Sequence, residues 1–446
     1  MKSHSILFDD FSSKWYSDWS KNLKQTPSGK GKFALKANKF WQNAVMVEAL
    51  HERGVLKSGK KCIGFGVGKE RLPALFASID IKVTATDQDF TKEKAKQWNN
   101  DQLAQGAFSL NEDNICDNAK FDKNVEFLPL DMKSIAKRFY SKYDFLWSNC
   151  ALGHLGSINS GLKFIEDSLK CLKPGGWAVH TTEINIVSNN ETVSDGPTVI
   201  FRLGDIYELC KKLSKQGVLC SPFLLTNGES KQDQIVSLDP EWGTDSTKIL
   251  IGGHIATQAL LIFHVPSKPI NGIKKLQQEL VHVIAYKKNL KTLASINASN
   301  KTIRILKSAQ GHNPEDYLIT PVKSRIKISK TSNVPVVVEY KNDSTIVLTG
   351  VHTLFDSKPL VLGTDDPVNH NSLLADNSWH TPNRPSVNLF KKSSKGWEVV
   401  DYVKPGQVFG YVFNLSKNMS SNTEAVSIIQ EGGGIVPNTK VKLETR

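Results

Sequence analysis

A run of alternating glycines followed by an aspartate is the part of this sequence whose residue types and spacing could do chemistry. Residues 61–70 read Lys-Cys-Ile-Gly-Phe-Gly-Val-Gly-Lys-Glu, and Asp87 follows at the end of the next apolar run. Alternate glycines let a backbone pass close beneath a ligand and adopt positive φ. An acid about 20 residues further on can bind ribose hydroxyls. This stretch therefore predicts a site for an adenosine-containing cofactor.

The elements that must position this stretch alternate between strand-like and helix-like patterns. The predicted strands cover Cys62–Gly66, Lys82–Thr86, Val125–Leu130, Tyr143–Ser148, Trp177–Thr182, Leu219–Leu225 and Ala259–Val265. The predicted helices cover 39–56, Leu72–Ser78, Ile158–Leu172 and Asp205–Leu213. Such alternation indicates an α/β fold with a parallel, doubly wound sheet, which the last two strands could close as a hairpin. Ligands bind such sheets at the carboxyl ends of the strands, so side chains at the strand tips are the candidates.

The glycine spacing separates this turn from a dinucleotide-binding one. A nicotinamide-binding Rossmann turn has the pattern Gly-x-Gly-x-x-Gly, whereas Lys69 follows the third glycine here and gives Gly-x-Gly-x-Gly. Asp87 and Asp131 stand at successive strand tips, and Leu-Lys-Pro-Gly-Gly-Trp at 172–177 precedes the fifth strand. In this order the chain resembles class I S-adenosylmethionine-dependent methyltransferases.

The resemblance implies a Rossmann-like methyltransferase sheet and the cofactor S-adenosyl-L-methionine. In that family the glycine loop supports the methionine part of the cofactor, the acid after the second strand binds the ribose, and the acid after the third reaches the adenine amine. The cofactor site so implied consists of Gly64, Phe65, Gly66, Gly68, Asp87, Gln88, Asp131, Met132 and Asn149. One position departs from the family: many members carry an acid ahead of the first glycine, where this chain has Cys62, so one usual contact to the cofactor's amino group is missing.

Three further segments resemble a bacterial subgroup of these enzymes that occurs around surface-polysaccharide assembly. They are Ser-Asn-Cys-Ala-Leu-Gly-His-Leu-Gly-Ser at 148–157, His-Thr-Thr-Glu at 180–183 and Gly-Pro-Thr-Val-Ile-Phe-Arg at 196–202, and the glycine run at 64–70 with Leu-Pro-Ala-Leu-Phe-Ala at 72–77 resembles the subgroup as well. The resemblance implies a carbohydrate or nucleotide-sugar substrate. The subgroup has Glu where Gly153 stands, so any role of that carboxylate is missing or moved.

Candidate catalytic groups come from the ends of the fourth and fifth strands. Methyl transfer to oxygen needs the hydroxyl proton removed by a base within hydrogen-bond reach, and His154, His180 and Glu183 are the candidates. We expect His154 to face the site because it lies on a loop beyond its strand, whereas His180 could equally point into the sheet as a core histidine. The spacing of His, Asp and Glu residues predicts no metal site.

The composition changes along the chain and predicts four regions. They are an N-terminal arm at 1–37, the methyltransferase domain at 38–266, a helical linker at 267–320 and an all-β domain at 321–446. Short β-like runs separated by Asn-Asp, Pro-Gly and Gly-Gly-Gly predict a sandwich for the last region, which resembles immunoglobulin-like modules of glycan-processing enzymes. Its aromatic residues could stack on sugar rings, and core packing, a scaffold role or dimerisation are the alternatives; they are Trp379, His380, Trp397 and Tyr402.

Charge and cysteine usage bound the partners and the compartment. The 446 residues carry a net charge of +13, which favours anionic partners or reflects a lysine-rich solvated surface. The six cysteines form no CxxC pair and several lie in apolar runs, so we expect buried thiols in a reducing compartment. The first residues lack the apolar core of a signal peptide, and no apolar run could span a bilayer. A cytoplasmic protein is the expectation.

Together these observations predict an S-adenosylmethionine-dependent methyltransferase that acts on an oxygen of a carbohydrate or glycan-linked acceptor. Nucleic-acid methylation is one alternative. It is disfavoured because the fourth strand ends in Ser-Asn-Cys-Ala at 148–151, whereas amino-methylating DNA enzymes have Asp/Asn-Pro-Pro-Tyr there, with an aromatic ring for a flipped base. A non-catalytic glycan-binding assembly factor with a methyltransferase fold is the other alternative, and the sequence predicts no oligomeric state.

Overall fold

Two units make up the part of the chain that can be described. A computed structural model describes residues 1–25, 33–89, 106–237, 246–251, 254–299, 314–328, 335–344, 348–349, 360–365, 371–372, 375, 383, 385–386, 388–393, 396–400, 402–415, 423–430 and 434–445. The first unit comprises Met1–Ile249 with His254–Asn300, and the second comprises Leu250–Gly253 with Lys301–Arg446.

The first unit alternates strands and helices as its apolar patterns predict. Its strands are β1 (His4–Ser5), β2 (Lys61–Phe65), β3 (Lys82–Asp87), β4 (Val125–Pro129), β5 (Tyr143–Asn149), β6 (Leu172–Asn185), β7 (Leu219–Cys220), β8 (Val236–Ser237), β9 (Lys248–Ile251) and β10 (His254–His264). Its helices are α1 (Lys14–Asn22), α2 (Phe33–Glu52), α3 (Leu72–Ser78), α4 (Asn118–Asn124), α5 (Ile158–Leu169), α6 (Leu203–Lys215), α7 (Lys231–Gln234) and α8 (Gly272–Ser299).

The strands form one mixed sheet with a reversal of strand order at its centre. The order is β4-β3-β2-β5-β6-β10-β9-β8, and β1 and β7 also pair with β10. Strands β4, β3, β2, β5 and β6 run parallel, and β10 is antiparallel to β6. The chain goes outward from β2 to β4 and then returns to β5 on the other side of β2. This Rossmann-like arrangement opens a crevice beyond the carboxyl ends of β2 and β5, where open α/β sheets bind ligands.

Close packing at the centre of the sheet explains the first glycine of the run. A Cβ at Gly64 would lie 2.2 Å from the ring of Trp147, because β2 and β5 place these two residues side by side. The Trp147 ring also meets Phe76 of α3 in an edge-to-face contact. Gly64 is therefore required by the core, where its missing side chain makes room for an indole.

The fifth predicted strand starts earlier than the sequence suggested. The Lys-Pro-Gly-Gly segment at 173–176 was expected to form the turn between α5 and the strand, yet β6 already begins at Leu172. Gly175 N–H donates to Val265 O (2.7 Å), and Gly176 O accepts from Val265 N–H (2.9 Å). Pairing with the chain just beyond β10 therefore holds this segment extended.

The predicted arm and linker both contribute packed elements to the first unit. Strand β1 pairs with β10, and Trp41 Nε1–H of α2 donates to Asp10 (2.8 Å). The predicted linker contains α8, whose Asn289 bonds the backbone of Phe223 (2.8 Å). The glycine- and lysine-rich joint expected at 28–32 lies outside the described residues.

The second unit is built from strands alone, apart from one short 3-10 turn among its described residues. They are β11 (Ile319–Pro321), β12 (Arg325–Ile328), β13 (Val336–Asn342), β14 (Leu348–Thr349), β15 (Leu360–Thr364), β16 (Phe390–Ser393), β17 (Gly396–Val399), β18 (Tyr402–Val403), β19 (Val408–Phe413), β20 (Thr423–Gln430), β21 (Gly434–Ile435) and β22 (Val441–Thr445). One sheet has the order β11-β13-β19-β16-β17 and another β12-β22-β20-β15, with β21 on β20. Both sheets contribute to one core, including Tyr340 and Tyr411 from the first and Leu362 and Ile428 from the second. The immunoglobulin-like character of this unit stays a prediction.

Two predictions about the whole chain can be compared with the described residues. All six cysteines are buried and carry free thiols, as the apolar runs around them predicted. Within the described ranges, none of the helices combines the length and the apolar character needed to cross a membrane.

Candidate functional site

A cavity of about 480 Å³ lies at the crevice where the strand order reverses. It is lined by Lys39, Phe40 and Asn43 of α2; by Gly66, Val67, Gly68, Lys69, Glu70 and Arg71 after β2; by Asp87, Gln88 and Met132 at and beyond the tips of β3 and β4; and by Asn149, Cys150, Ala151, His154 and Leu155 at and beyond the tip of β5. Most of the predicted site residues therefore meet in one place, although they come from four separate segments.

The glycine turn leaves its backbone close to the cavity. Gly66 has φ +61° and Gly68 has φ +49°, both in the left-handed region that glycine adopts without strain. A Cβ at Gly66 would lie 2.7 Å from Ala151 Cβ and 3.1 Å from Met132 Sδ. Gly66 thus lets Ala151 and Met132 approach the turn more closely than any side chain would allow.

Asp87 is fixed by the same turn. Its carboxylate accepts a hydrogen bond from Gly68 N–H (2.8 Å) and one from Gln88 N–H (2.7 Å), and only 5% of the residue is exposed. Each carboxylate oxygen can accept more than one hydrogen bond. Asp87 and Gln88 both line the cavity, as the position after the second strand predicted.

The two residues after β4 have different surroundings. Met132 is buried and its sulfur faces Gly66 across the cavity. Asp131 is exposed, its carboxylate accepts from Lys133 N–H (2.9 Å), and its carbonyl accepts from Ser134 N–H (2.9 Å). Met132 therefore contributes to the cavity wall, whereas Asp131 closes a local turn and is not among the lining residues.

Phe65 lies away from the cavity. Its side chain is fully buried and meets the ring of Phe164 of α5 edge to face, 5.3 Å between centroids. Successive side chains of a strand point to opposite faces of the sheet. The side chain of Phe65 points to the face on which α5 packs. Phe65 and Gly64 therefore shape the sheet beneath the site.

Asn149 links the tip of β5 to α2. Its side-chain amide donates to Asn43 Oδ1 (2.8 Å), and its Oδ1 accepts from Thr181 Oγ1 (2.9 Å). A hydrogen bond from the same side chain lowers the pKa of Glu70, against the larger effect of burial. The amide is thereby oriented between α2, the glycine turn and β6.

His154 reaches the cavity from the loop after β5, as its position predicted. Its Nδ1 lies 2.9 Å from Pro197 O and 3.3 Å from Thr198 Oγ1. A carbonyl oxygen can only accept, so Nδ1 carries a proton in this contact. The loop after β5 thus fixes the orientation of the His154 ring through Nδ1.

His180 is a core residue of β6. It is fully buried between Phe164 and Phe263, its Nδ1 lies 2.7 Å from Ser148 Oγ, and burial lowers its pKa to about 3. It does not line the cavity. Of the two outcomes expected for this histidine, the structure shows the packed one, because its side chain leaves β6 on the face covered by α5.

Glu183 lies beneath the cavity rather than on its wall. Its Oε1 accepts from Cys150 Sγ (2.9 Å) and from Gln258 Nε2 (3.0 Å), and Gln258 Oε1 accepts in turn from Gln42 Nε2 (2.6 Å). Cys150 has a strained φ of +55°. Burial, followed by the Glu183 charge, raises the pKa of the Cys150 thiol well above its usual value. This buried network holds the strained turn at the tip of β5.

Ten lining residues were not predicted as site residues, and among them are Glu70, Lys39 and Asn43. Glu70 stands two positions after the last glycine of the run, so its place in that run was the available signal. Lys39 and Asn43 are four residues apart on α2 and share a face of the helix. Nothing in the local sequence shows that this face turns toward the strand tips.

Three metal-ligating side chains meet elsewhere in the first unit, where no metal site was predicted. Ligand atoms of Cys210, Cys220 and His282 lie within 4.8 Å of one another and are buried. They come from α6, β7 and α8, so their sequence spacing is uninformative. Burial raises the pKa of Cys220 well above its usual value, which opposes the thiolate form. A structural zinc site takes four ligands, and three converge here among the described residues.

Comparison with known proteins gives matches only among solved structures. No family model and no curated protein matches the sequence. A SAM-dependent methyltransferase from Aquifex aeolicus matches with 16% identity and a TM-score of 0.28, over 49% of this chain and 88% of that chain. A 1,6-didemethyltoxoflavin-N1-methyltransferase from Burkholderia thailandensis, solved with its substrate and S-adenosylhomocysteine, matches with 12% identity and a TM-score of 0.32, over 58% and 91%. A SAM-dependent methyltransferase from Methanosarcina mazei matches with 13% identity and a TM-score of 0.29, over 48% and 96%. With values this low, function has to be argued from the residues of this chain.

Proposed function

We propose that this protein is an S-adenosylmethionine-dependent methyltransferase that methylates a hydroxyl of a carbohydrate or glycan-linked acceptor. The observation that supports it most is the joint placement of Gly66, Gly68, Asp87 and Met132 around one cavity at the strand reversal. Gly66 lets Ala151 and Met132 approach the turn closely, and the Asp87 carboxylate is held by the turn itself. These residues fit an adenosine-containing cofactor: an acid for ribose hydroxyls and a thioether beside an aromatic base.

The residues of the cavity divide into a cofactor side and a proton-accepting side. S-adenosylmethionine, when bound, supplies an electrophilic methyl group on a sulfonium. Asp87 binds and orients the nucleoside. Asn149 fixes the tip of β5 through its bonds to Asn43 and Thr181. A ring nitrogen of His154 would take up the proton that the acceptor hydroxyl gives up. General-base assistance of this kind contributes about 10²–10⁴-fold to a rate.

The acceptor class is proposed from the three segments that resemble the polysaccharide-associated subgroup. The structure brings these segments together beside His154: its ring bonds Pro197 O, Val199 N–H donates to Gly153 O (2.9 Å) and Phe201 N–H donates to Glu183 O (3.1 Å). The segment at 148–157 contributes lining residues of the cavity, and the other two segments support it through backbone hydrogen bonds. The proposed acceptor is rich in hydroxyls.

A methyl-transfer assay tests this function. The full chain is incubated with methyl-tritiated S-adenosylmethionine and, separately, with nucleotide sugars, oligosaccharides and duplex DNA. We expect tritium in a sugar acceptor in a form that resists mild alkali, since an ether survives where an ester is hydrolysed. Label that enters DNA alone would favour the nucleic-acid alternative, and absence of transfer to every acceptor, with no cofactor binding, would favour the non-catalytic one.

For the second unit we propose a contribution to glycan binding. Of its candidate aromatics, Trp379 and His380 lie outside the described residues. Trp397 of β17 is half-buried, with its ring 3.0 Å from where a Gly410 Cβ would lie. Binding of the full chain to immobilised oligosaccharides, compared with the same chain carrying Trp397→Ala, tests this contribution. Equal retention of both proteins would remove Trp397 from it.

A further inference from the structure

Many methyltransferases carry an acid ahead of the first glycine, and this chain has no acid at that position. Cys62 stands there, is fully buried, and its Sγ lies 3.7 Å from Lys82 O within the core of the sheet. Burial raises the pKa of this thiol well above its usual value. Cys62 can therefore offer neither charge nor contact to the ammonium group of a bound amino acid.

A different carboxylate lines the cavity. Glu70 follows the glycine turn, and its carboxylate accepts a hydrogen bond from Trp147 Nε1–H. Trp147 is locked over Gly64 by the core, so this bond gives the carboxylate a fixed position. Asn149 bonds it as well. An acid held by two neutral donors beside a cavity can still receive a cation.

A cation lines the same cavity on α2. Lys39 lowers the pKa of both Glu70 and Cys150, so its charge reaches the glycine turn and the β5 tip alike. Within the described residues no carboxylate lies at ion-pair distance from it. Asn43, one helical turn further on, bonds Asn149 and so ties this face of α2 to the site. One cation and one carboxylate thus flank a single space.

We propose that Glu70 and Lys39 bind the two charged ends of the cofactor's amino acid, Glu70 its ammonium and Lys39 its carboxylate. This assignment rests on the proposed function and names the residues that replace the missing acid at position 62. Each side chain has the charge opposite to that of the group assigned to it, since Glu70 is an acid and Lys39 is a base. Ligand binding would also give a cationic partner to the partly buried Glu70 carboxylate, whose hydrogen bonds come from neutral donors, and would so remove part of the cost of its burial.

Ligands that differ only in the amino-acid tail test the assignment by calorimetry. S-adenosylhomocysteine carries both charges, S-adenosyl-3-thiopropylamine lacks the carboxylate, and 5′-methylthioadenosine lacks the whole tail. The proteins are the full chain, Glu70→Gln, Lys39→Met, and Glu208→Gln as a matched control. Glu208 is an exposed acid of α6 paired with Lys211 (3.5 Å).

Each variant should lose only the contact it made. Glu70→Gln should bind both charged ligands about 10–100-fold more weakly, because a charge-assisted bond is lost, and should bind 5′-methylthioadenosine as the unmodified chain does. Lys39→Met should weaken S-adenosylhomocysteine alone. Unchanged affinity of Glu70→Gln for S-adenosylhomocysteine, or an equal loss for 5′-methylthioadenosine, would overturn the assignment. Failure of the unmodified chain to bind any of the three would overturn the proposed function and this assignment with it.

Proton release gives a second readout. Burial raises the pKa of Glu70 to about 8, so its carboxyl holds a proton at pH 7 and must give it up to meet an ammonium. The other charged or titratable groups around it are Lys39 of α2, Lys69 and Arg71 of the turn, Asp87 of β3, and Cys150 and His154 after β5. Calorimetry in two buffers of different ionisation enthalpy should show proton release on S-adenosylhomocysteine binding, and Glu70→Gln should abolish it. Equal release by both proteins would contradict the assignment.

Discussion

The crevice of the first unit and the core of the second use the same kinds of side chain for different purposes. In the second unit, Tyr340 and Tyr411 are fully buried and each hydroxyl donates to a backbone carbonyl (3.0 and 3.1 Å). In the crevice, Asp87 and Glu70 take hydrogen bonds from fixed donors and still face a cavity. The tyrosine hydroxyls lie within a closed core, whereas the two carboxylates line a cavity that a ligand can enter.

The largest effect is expected when the proposed proton acceptor is removed from the crevice. His154→Gln should lower kcat about 10²–10⁴-fold, because the glutamine amide cannot take the hydroxyl proton. Affinity for S-adenosylhomocysteine should stay the same. His51→Gln, at an exposed histidine of α2, is the control for loss of an imidazole. Turnover that survives in His154→Gln would place the base elsewhere.

The next largest effect is expected when a side chain is added at Gly66. Gly66→Ala should lower affinity for S-adenosylhomocysteine about 100-fold, because its Cβ would collide with Ala151 and Met132. Gly59→Ala is the matched control: Gly59 also has positive φ (+80°), but nothing lies within 4 Å of its Cβ position. Both variants should lose about 1 kcal/mol of stability from backbone strain. Equal affinity of the two variants for S-adenosylhomocysteine would show that position 66 needs glycine for its backbone conformation and not for the close approach of Ala151 and Met132.

The burial of Glu70 should make the free energy of unfolding depend on pH. The pKa of Glu70 is raised by burial from 4.5 to about 8, so between these values the folded state binds more protons than the unfolded state. Its contribution to stability is therefore present below pH 4.5 and is lost as pH rises through about 8. Glu70→Gln should be more stable than the unmodified chain at pH 9, by up to about 5 kcal/mol, and close to it near pH 5. Urea unfolding at the two pH values measures this, and a constant difference would contradict it.

The smallest effect concerns the second unit. Trp397 packs its ring on Gly410, so Trp397→Ala should lower the free energy of unfolding by about 1–2 kcal/mol, since a half-buried aromatic contact is lost. Affinity for S-adenosylhomocysteine should not change. Thermal unfolding and calorimetry on the full chain measure both. A weakened cofactor affinity would mean that the contrast between the two regions does not hold.

Local pattern was enough to predict the sheet and the turn that leads into the site. Apolar runs located β2 to β6 because buried parallel strands are apolar on both faces, and residues of the glycine run line the cavity together with Asp87. Helix α3 matches its prediction at both ends. The start of β6 was missed because its pairing with the chain after β10, far away in sequence, keeps a glycine-rich segment extended.

The remaining site residues depend on packing that the sequence does not display. Asp131 has the expected position in chain order, but its carboxylate closes the turn it belongs to. His180 and Glu183 could be assigned to a strand, whereas their burial depends on what covers each face of β6. Lys39 reaches the cavity only because α2 crosses the strand tips.

One measurement tests the central claim most directly: calorimetric titration of S-adenosylhomocysteine into the full chain and into Asp87→Asn. Asn at position 87 has the same shape as the buried Asp87, but it lacks the charge proposed to bind ribose hydroxyls and one of the two oxygens that accept from Gly68 and Gln88 N–H. The account predicts binding by the unmodified chain and affinity lowered about 10–100-fold in Asp87→Asn. No binding by the unmodified chain, or equal binding by the two proteins, would contradict it.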